Sequence, residues 1–225
     1  IPEKDIVEMV LKMMEDKKAD SPYKNNVLRQ DKLLWIAREY QKQGVNYVEI
    51  ADTDLAKVGE PAVKLLQEIH DIFPAIEQET GVKIRFLLAI RRIALTIIKD
   101  QKTSNTYLKE SINVLRAVAK SPYVVGSDFI GEEINDISEL QPAIDQIVKY
   151  VREEDPDFTI RIHAGENDSL RNNVRKSILC VKQALAEGQE MPRCRLGHGL
   201  YSEDLNSEAG KKLMELMRET GIVVE

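Results

Sequence analysis

Three side chains in the second half of the chain, His163, Glu166 and His198, have the types and spacing for metal-assisted hydrolysis. His163 closes a short apolar run, Ile160-Arg-Ile-His163, and Ala164-Gly165-Glu166 follows at once. A neutral imidazole ligates a divalent metal, and a carboxylate three residues on can carry protons to and from a metal-bound water. Alternation along a strand puts Thr159, Arg161 and His163 on one face and Ile160 and Ile162 on the other. The isoleucines suit packing against helices, which leaves His163 for the open end of the sheet. Gly165 lets the backbone turn tightly and brings Glu166 back over the same space. His198 ends a second run, Arg195-Leu-Gly-His-Gly199, where flanking glycines keep bulk away from the imidazole.

A third segment, Gly126-Ser-Asp-Phe-Ile-Gly-Glu-Glu133, carries a glycine just past a strand end. At Gly131 a ligand ring could approach the backbone closely, because no Cβ intervenes. Glu132 and Glu133 read as solvated loop charges. His70 lies in a charged helical stretch and reads as a surface residue.

The elements that must position these groups alternate along the chain. Helical periodicity or composition marks Asp31–Gln43, Glu60–Thr80, Thr106–Lys120, Leu140–Glu153, Asn172–Glu187 and Ser207–Glu219. The first of these presents Leu34, Trp35, Ile36 and Tyr40, and Pro74 interrupts the second. Strand-like apolar runs cover Val45–Ala51, Val82–Ile90, Tyr123–Ile130, Phe158–His163 and Arg193–His198. Gly221-Ile-Val-Val-Glu225 reads as a sixth strand beginning. Gly44, Gly81, Gly188 and Gly221 supply the helix stops.

Strands alternating with helices of this length imply βαβ units and a parallel sheet. The G-x-G-x-x-G turn of a Rossmann domain is missing after the first strand. Chemistry at several successive strand ends favours an α/β fold of (β/α)8 TIM-barrel type. On that template the chain holds about five to six of eight strands and is an incomplete barrel. Residues 1–30 are set apart as a peripheral helix, Lys4–Lys18, and a loop, Ser21–Asn26, forming an insertion or arm; residues 31–225 form the partial barrel.

The 225 residues suffice for one hydrophobic core. A formal net charge of -6 without a basic cluster speaks against a nucleic-acid surface. No apolar run approaches the roughly 20 residues of a membrane span, and no signal peptide is visible. Cys180 and Cys194 form no CxxC motif and suit a reduced, cytoplasmic setting as buried thiols. The opening at Ile1 and the stop within a strand suggest a piece of a longer protein.

His163-Ala-Gly-Glu166, Arg195-Leu-Gly-His-Gly199 and Gly126-Ser-Asp-Phe-Ile-Gly-Glu-Glu133, in this order and spacing, resemble the adenosine deaminase family of metal-dependent hydrolases. Val45-Asn-Tyr-Val-Glu-Ile50 matches an early strand of that family, and the likeness runs from about Asp31 to the end. The resemblance implies hydrolytic deamination of adenosine, a purine nucleoside, to inosine and ammonia. It implies one Zn2+ with His163 as a ligand, Glu166 as proton shuttle to the purine N1, His198 acting on the reactive water and Gly131 meeting the purine. The family's His-x-His pair on the first strand and Asp-Asp pair on the last are absent here. A catalytic zinc wants about three protein ligands, so the chain as it stands is expected to be inactive alone, its other ligands lying outside it. Adenine or a phosphorylated adenosine is the alternative substrate, with Arg91 and Arg92 as candidate phosphate contacts. A deaminase-like scaffold without activity is the other alternative. The His-x-Glu and Pro-Cys-x-x-Cys signature of cytidine-type zinc deaminases is missing.

Overall fold

The structure, a computed structural model, describes residues 29–92, 95, 101–131 and 133–225. The sequence-expected helix Lys4–Lys18 and loop Ser21–Asn26 lie outside the described residues. In chain order the elements are α1 (Arg29–Lys42), β1 (Tyr47–Asp52), α2 (Glu60–Thr80), β2 (Lys83–Arg91) and α3 (Gln101–Val118). Then come β3 (Val124–Ile130), α4 (Gln141–Glu153), β4 (Thr159–Ala164), α5 (Asn173–Ala184), β5 (Cys194–His198), α6 (Glu208–Thr220) and β6 (Val223–Val224). Short 3-10 turns at Asp54–Ala56, Ile137–Leu140 and Asp168–Leu170 sit between them.

The six strands form one sheet in the order β1-β2-β3-β4-β5-β6. The β2–β3, β3–β4, β4–β5 and β5–β6 ladders are parallel. A doubly wound sheet reverses its order at a switch point, whereas a barrel adds strands in sequence. The sequential order is therefore that of an α/β fold consistent with an incomplete TIM-type barrel.

The described residues fall into two compact units, one within 29–48 and 71–84 and the other within 49–70 and 85–225. In the first, Leu33 and Ala37 are the buried positions of α1, and Arg38 pairs with Glu79 at 2.6 Å. Trp35, one of the apolar residues read in this helix, is 63% exposed. The stripe runs through positions 33 and 37, one helical turn apart, and Trp35 falls on the other side. Pro74 does not interrupt α2, which continues from Glu60 to Thr80. A proline removes one backbone bond, and the buried stripe Ala62, Leu65, Ile69, Phe73 and Ile76 outweighs that loss.

In the second unit the core lies where strand and helix stripes meet. Ile160, Ile162, Leu196 and Phe129 from the sheet are buried with Leu115, Ile144, Ile147, Val148, Ile178 and Val181 from the helices. Tyr150 meets Phe158 edge-on at 5.2 Å. Ser207 caps α6 by accepting from the Gly210 N–H at 3.0 Å, and Gly221 ends that helix with φ 65°. Cys180 and Cys194 are buried and free.

Candidate functional site

All the residues singled out for chemistry that the structure describes belong to the second unit, at or just past strand ends. Parallel register sets His163 beside Gly197 and Ala164 beside His198. The side chains of β4 follow the expected parity: Ile160 and Ile162 are fully buried, while Arg161 and His163 are half-buried on the opposite face.

Below His163 the sheet carries a row of charges. Asp128, Arg161 and Arg195 are register neighbours across β3, β4 and β5. Two guanidinium groups side by side repel, and three carboxylates resolve the repulsion. Arg161 donates to Asp128 at 2.6 Å and to Glu225 at 2.9 Å. Arg195 donates to Glu225 at 2.7 Å and pairs with Glu49. Burial works to lower the pKa of Arg161, yet Asp128 and Glu225 carry it above the ordinary arginine value. Arg195 is raised in the same way: burial opposes, and Glu49 and Glu225 prevail.

The second oxygen of Asp128 meets His163 Nδ1 at 2.9 Å. Because Arg161 already holds that carboxylate, Nδ1–H is the donor, and Nε2 is the ring nitrogen left for another partner. The His163 carbonyl accepts from Arg92 Nη1 at 3.0 Å. Burial pushes the Arg92 pKa down, and Glu133 and Glu166 work against that. Arg92 is 0% exposed and committed to this backbone contact, which leaves Arg91, exposed at the end of β2, as the accessible member of the pair.

The chain turns sharply after β4. Gly165 has φ 78°, and a Cβ there would lie 2.8 Å from Val174 Cγ2, 2.9 Å from the Tyr201 carbonyl and 3.0 Å from Gly199 Cα. The loops after β4 and β5 therefore touch backbone to backbone. The Gly199 N–H donates to the Ala164 carbonyl and the Tyr201 N–H to the Gly165 carbonyl, both at 2.9 Å. This contact brings Glu166 Oε2 to 3.9 Å from His198 Nε2. The His163 and His198 rings stand 5.1 Å apart, inclined at 61°. His198 itself has φ 74°, the left-handed region that non-glycine residues rarely enter. Gly131, with φ 102°, follows β3, whose Phe129 pairs with Ile162 of β4, so it lies beside the strand that bears His163.

The expectation that Glu133 is a solvated loop charge is corrected: it is 2% exposed. Its carboxylate accepts from the backbone N–H groups of Gly165, Glu166 and Asn167 and from the Asn173 side chain. Glu132 lies outside the described residues. His70 is exposed as expected, although its ring contacts Ser121 at 2.9 Å. Sequence reasoning did not single out Asp128, Glu133 or Asn173. Asp128 had a signal, a lone charge within an apolar strand; Glu133 and Asn173 had none.

Whether these residues fit a metal can be tested directly. His163 has the form of a ligand, with Nδ1 fixed by a carboxylate and Nε2 open. Among the described residues, however, no group of three or more His, Cys, Asp or Glu side chains could hold a metal ion. The described residues do not complete a catalytic zinc site.

A family model described as adenosine deaminase matches residues 28–225. Among solved structures, the chain is similar to one described as a nicotinate phosphoribosyltransferase from Saccharomyces cerevisiae, at 12% identity and a TM-score of 0.33. That match covers 93% of this chain, which spans 50% of the other. No curated protein matches the sequence. No helix among the described residues is long and apolar enough to cross a membrane.

Proposed function

The chain belongs to the adenosine deaminase family, and on that premise we propose that it carries the purine-facing part of a site for hydrolytic deamination of adenosine to inosine and ammonia. The observation that carries this reading is the convergence of His163, His198 and Glu166 from the ends of two neighbouring strands. Glu166 is the only carboxylate of the three, and its side chain, about half exposed, is open to a substrate. It gives a proton to the purine N1, which makes C6 electrophilic. His198, 3.9 Å away, orients the attacking water, accepts its proton and passes it to the amino group, so that the C6–N bond breaks and ammonia leaves. Gly131 offers a backbone that a flat base can approach without a Cβ in the way. His163, held by Asp128 and Arg92, is placed to act as a metal ligand in a protein that supplies the remaining ligands. No step of this scheme is assigned to a metal, because the described residues do not complete a site for one.

The lack of a complete metal-ligand group among the described residues favours a second reading, a deaminase-like subunit without turnover of its own. A phosphorylated adenosine is the less favoured substrate, because Arg92 is buried against the His163 carbonyl. The experiment is to incubate the protein and its Glu166→Gln variant with adenosine and measure inosine by chromatography. Turnover that disappears in Glu166→Gln supports the deaminase reading. Turnover retained in the variant refutes the role of Glu166, and none in the wild type means that this chain alone does not carry the reaction, as expected where the remaining metal ligands lie outside it.

A further inference from the structure

We infer that Glu133 is a positioning residue for Glu166, clamping the backbone from which the catalytic carboxylate projects. The inference rests on the reading of Glu166 given above. Oε1 of Glu133 accepts from the Gly165 N–H at 3.1 Å and from Asn173 Nδ2 at 2.8 Å. Oε2 accepts from the Glu166 N–H at 2.7 Å and the Asn167 N–H at 3.0 Å. Three successive amides thus converge on one carboxylate. A run of N–H groups aimed into one concavity ordinarily captures an anion from solution; here the chain fills it with its own side chain.

The clamp is itself fixed. Asn173, buried at the first turn of α5, also donates to the Asn135 carbonyl at 3.2 Å and accepts from the Ile137 N–H at 3.0 Å. Arg92, whose positive charge is favoured by Glu133 and Glu166, holds the His163 carbonyl. The backbone is therefore gripped on both sides of Gly165. The Glu166 side chain is not gripped by its histidine neighbour, since 3.9 Å exceeds hydrogen-bond range. Its position comes from the clamped backbone. Glu133 cannot carry the proton itself, because it is buried and its oxygens already accept four donors.

The test uses the full chain and Glu133→Gln, which keeps the shape of the side chain but replaces one acceptor oxygen with a donor. Hydrogen exchange at the Gly165, Glu166 and Asn167 amides, followed by NMR, should accelerate roughly 10- to 100-fold, the effect of losing hydrogen bonds to a charged acceptor. Exchange at the core amides Ile160 and Leu196 should stay near its wild-type rate. Equal acceleration at all five amides, or none at the loop, overturns the clamp.

The positioning claim has its own readout. Glu166→Gln should shift the ring signals of His198 in the wild-type background, and that response should be at least halved in the Glu133→Gln background. An undiminished response means that Glu133 does not place Glu166 and overturns the inference. Turnover of adenosine by Glu166→Gln judges the deaminase reading separately, so the two can fail independently.

Discussion

Replacing Asp128 with alanine tests the charge row directly. Asp128 is fully buried and holds two partners, Arg161 at 2.6 Å and His163 Nδ1 at 2.9 Å. Breaking a buried ion pair by removing one member costs about 3–5 kcal/mol, because the other charge stays behind. Here Arg161 keeps Glu225 at 2.9 Å and its side chain is 22% exposed, so water and the second carboxylate recover part of that cost. The ion-pair loss belongs near 3 kcal/mol, and the orphaned His163 N–H adds about 1 kcal/mol. With a urea slope of about 3 kcal/mol/M, the unfolding midpoint should fall by roughly 1 M. Circular dichroism in a urea series measures it. A double-mutant cycle with Arg161→Met separates the ion pair from the histidine contact. A midpoint shift under about 0.3 M, equivalent to roughly 1 kcal/mol at that slope, would refute the reasoning, since a solvent-screened surface pair costs no more than that.

Two further outcomes follow from the geometry. Gly165→Ala should lose about 2–4 kcal/mol, combining the left-handed backbone penalty with overpacking against Val174 and two backbone atoms; thermal unfolding reads it, and a loss below about 1 kcal/mol would mean that the two loops do not touch. Burial pushes the Cys194 thiol up to about 12 from its ordinary 9.0. The unfolded chain therefore loses this proton first, and the contribution to stability, complete below pH 9, is lost as pH rises towards 12. Wild-type stability should decline more steeply than that of Cys194→Ala over that window, by up to about 1.4 kcal/mol per pH unit; parallel curves would contradict the burial.

The sheet was legible because its strands are apolar runs set off by turn residues. The strand Tyr123–Ile130 read from the sequence is Val124–Ile130 in the structure, and Arg193–His198 is Cys194–His198. The sixth strand read at the chain's end is present as β6. Which face of α1 is buried was not legible, because Trp35 is apolar whichever way it points. Nor was the continuity of α2 through Pro74, which depends on the burial of apolar residues on both sides of the proline, from Ala62 to Ile76. In the site, His163, Glu166 and His198 announced themselves as residue types that do chemistry, and the structure brings them together. Glu133 did not, since its partners lie 32 to 40 residues further along the chain. A side chain that accepts from backbone amides leaves no pattern in the identity of the residues it holds. The placement of Glu166 is thus a tertiary property, whereas its chemistry is a local one.

The backbone of His198 sets function against robustness. A histidine with φ 74° costs on the order of 1 kcal/mol that glycine would not. Selection for thermal endurance alone would drift position 198 towards glycine and extend the glycines already at 197 and 199. The imidazole is kept at the expense of stability in the turn that presents it. A screen for heat-resistant variants of this chain would therefore reward the loss of the group on which the proposed chemistry depends, so stability gained at this turn should be read as a warning.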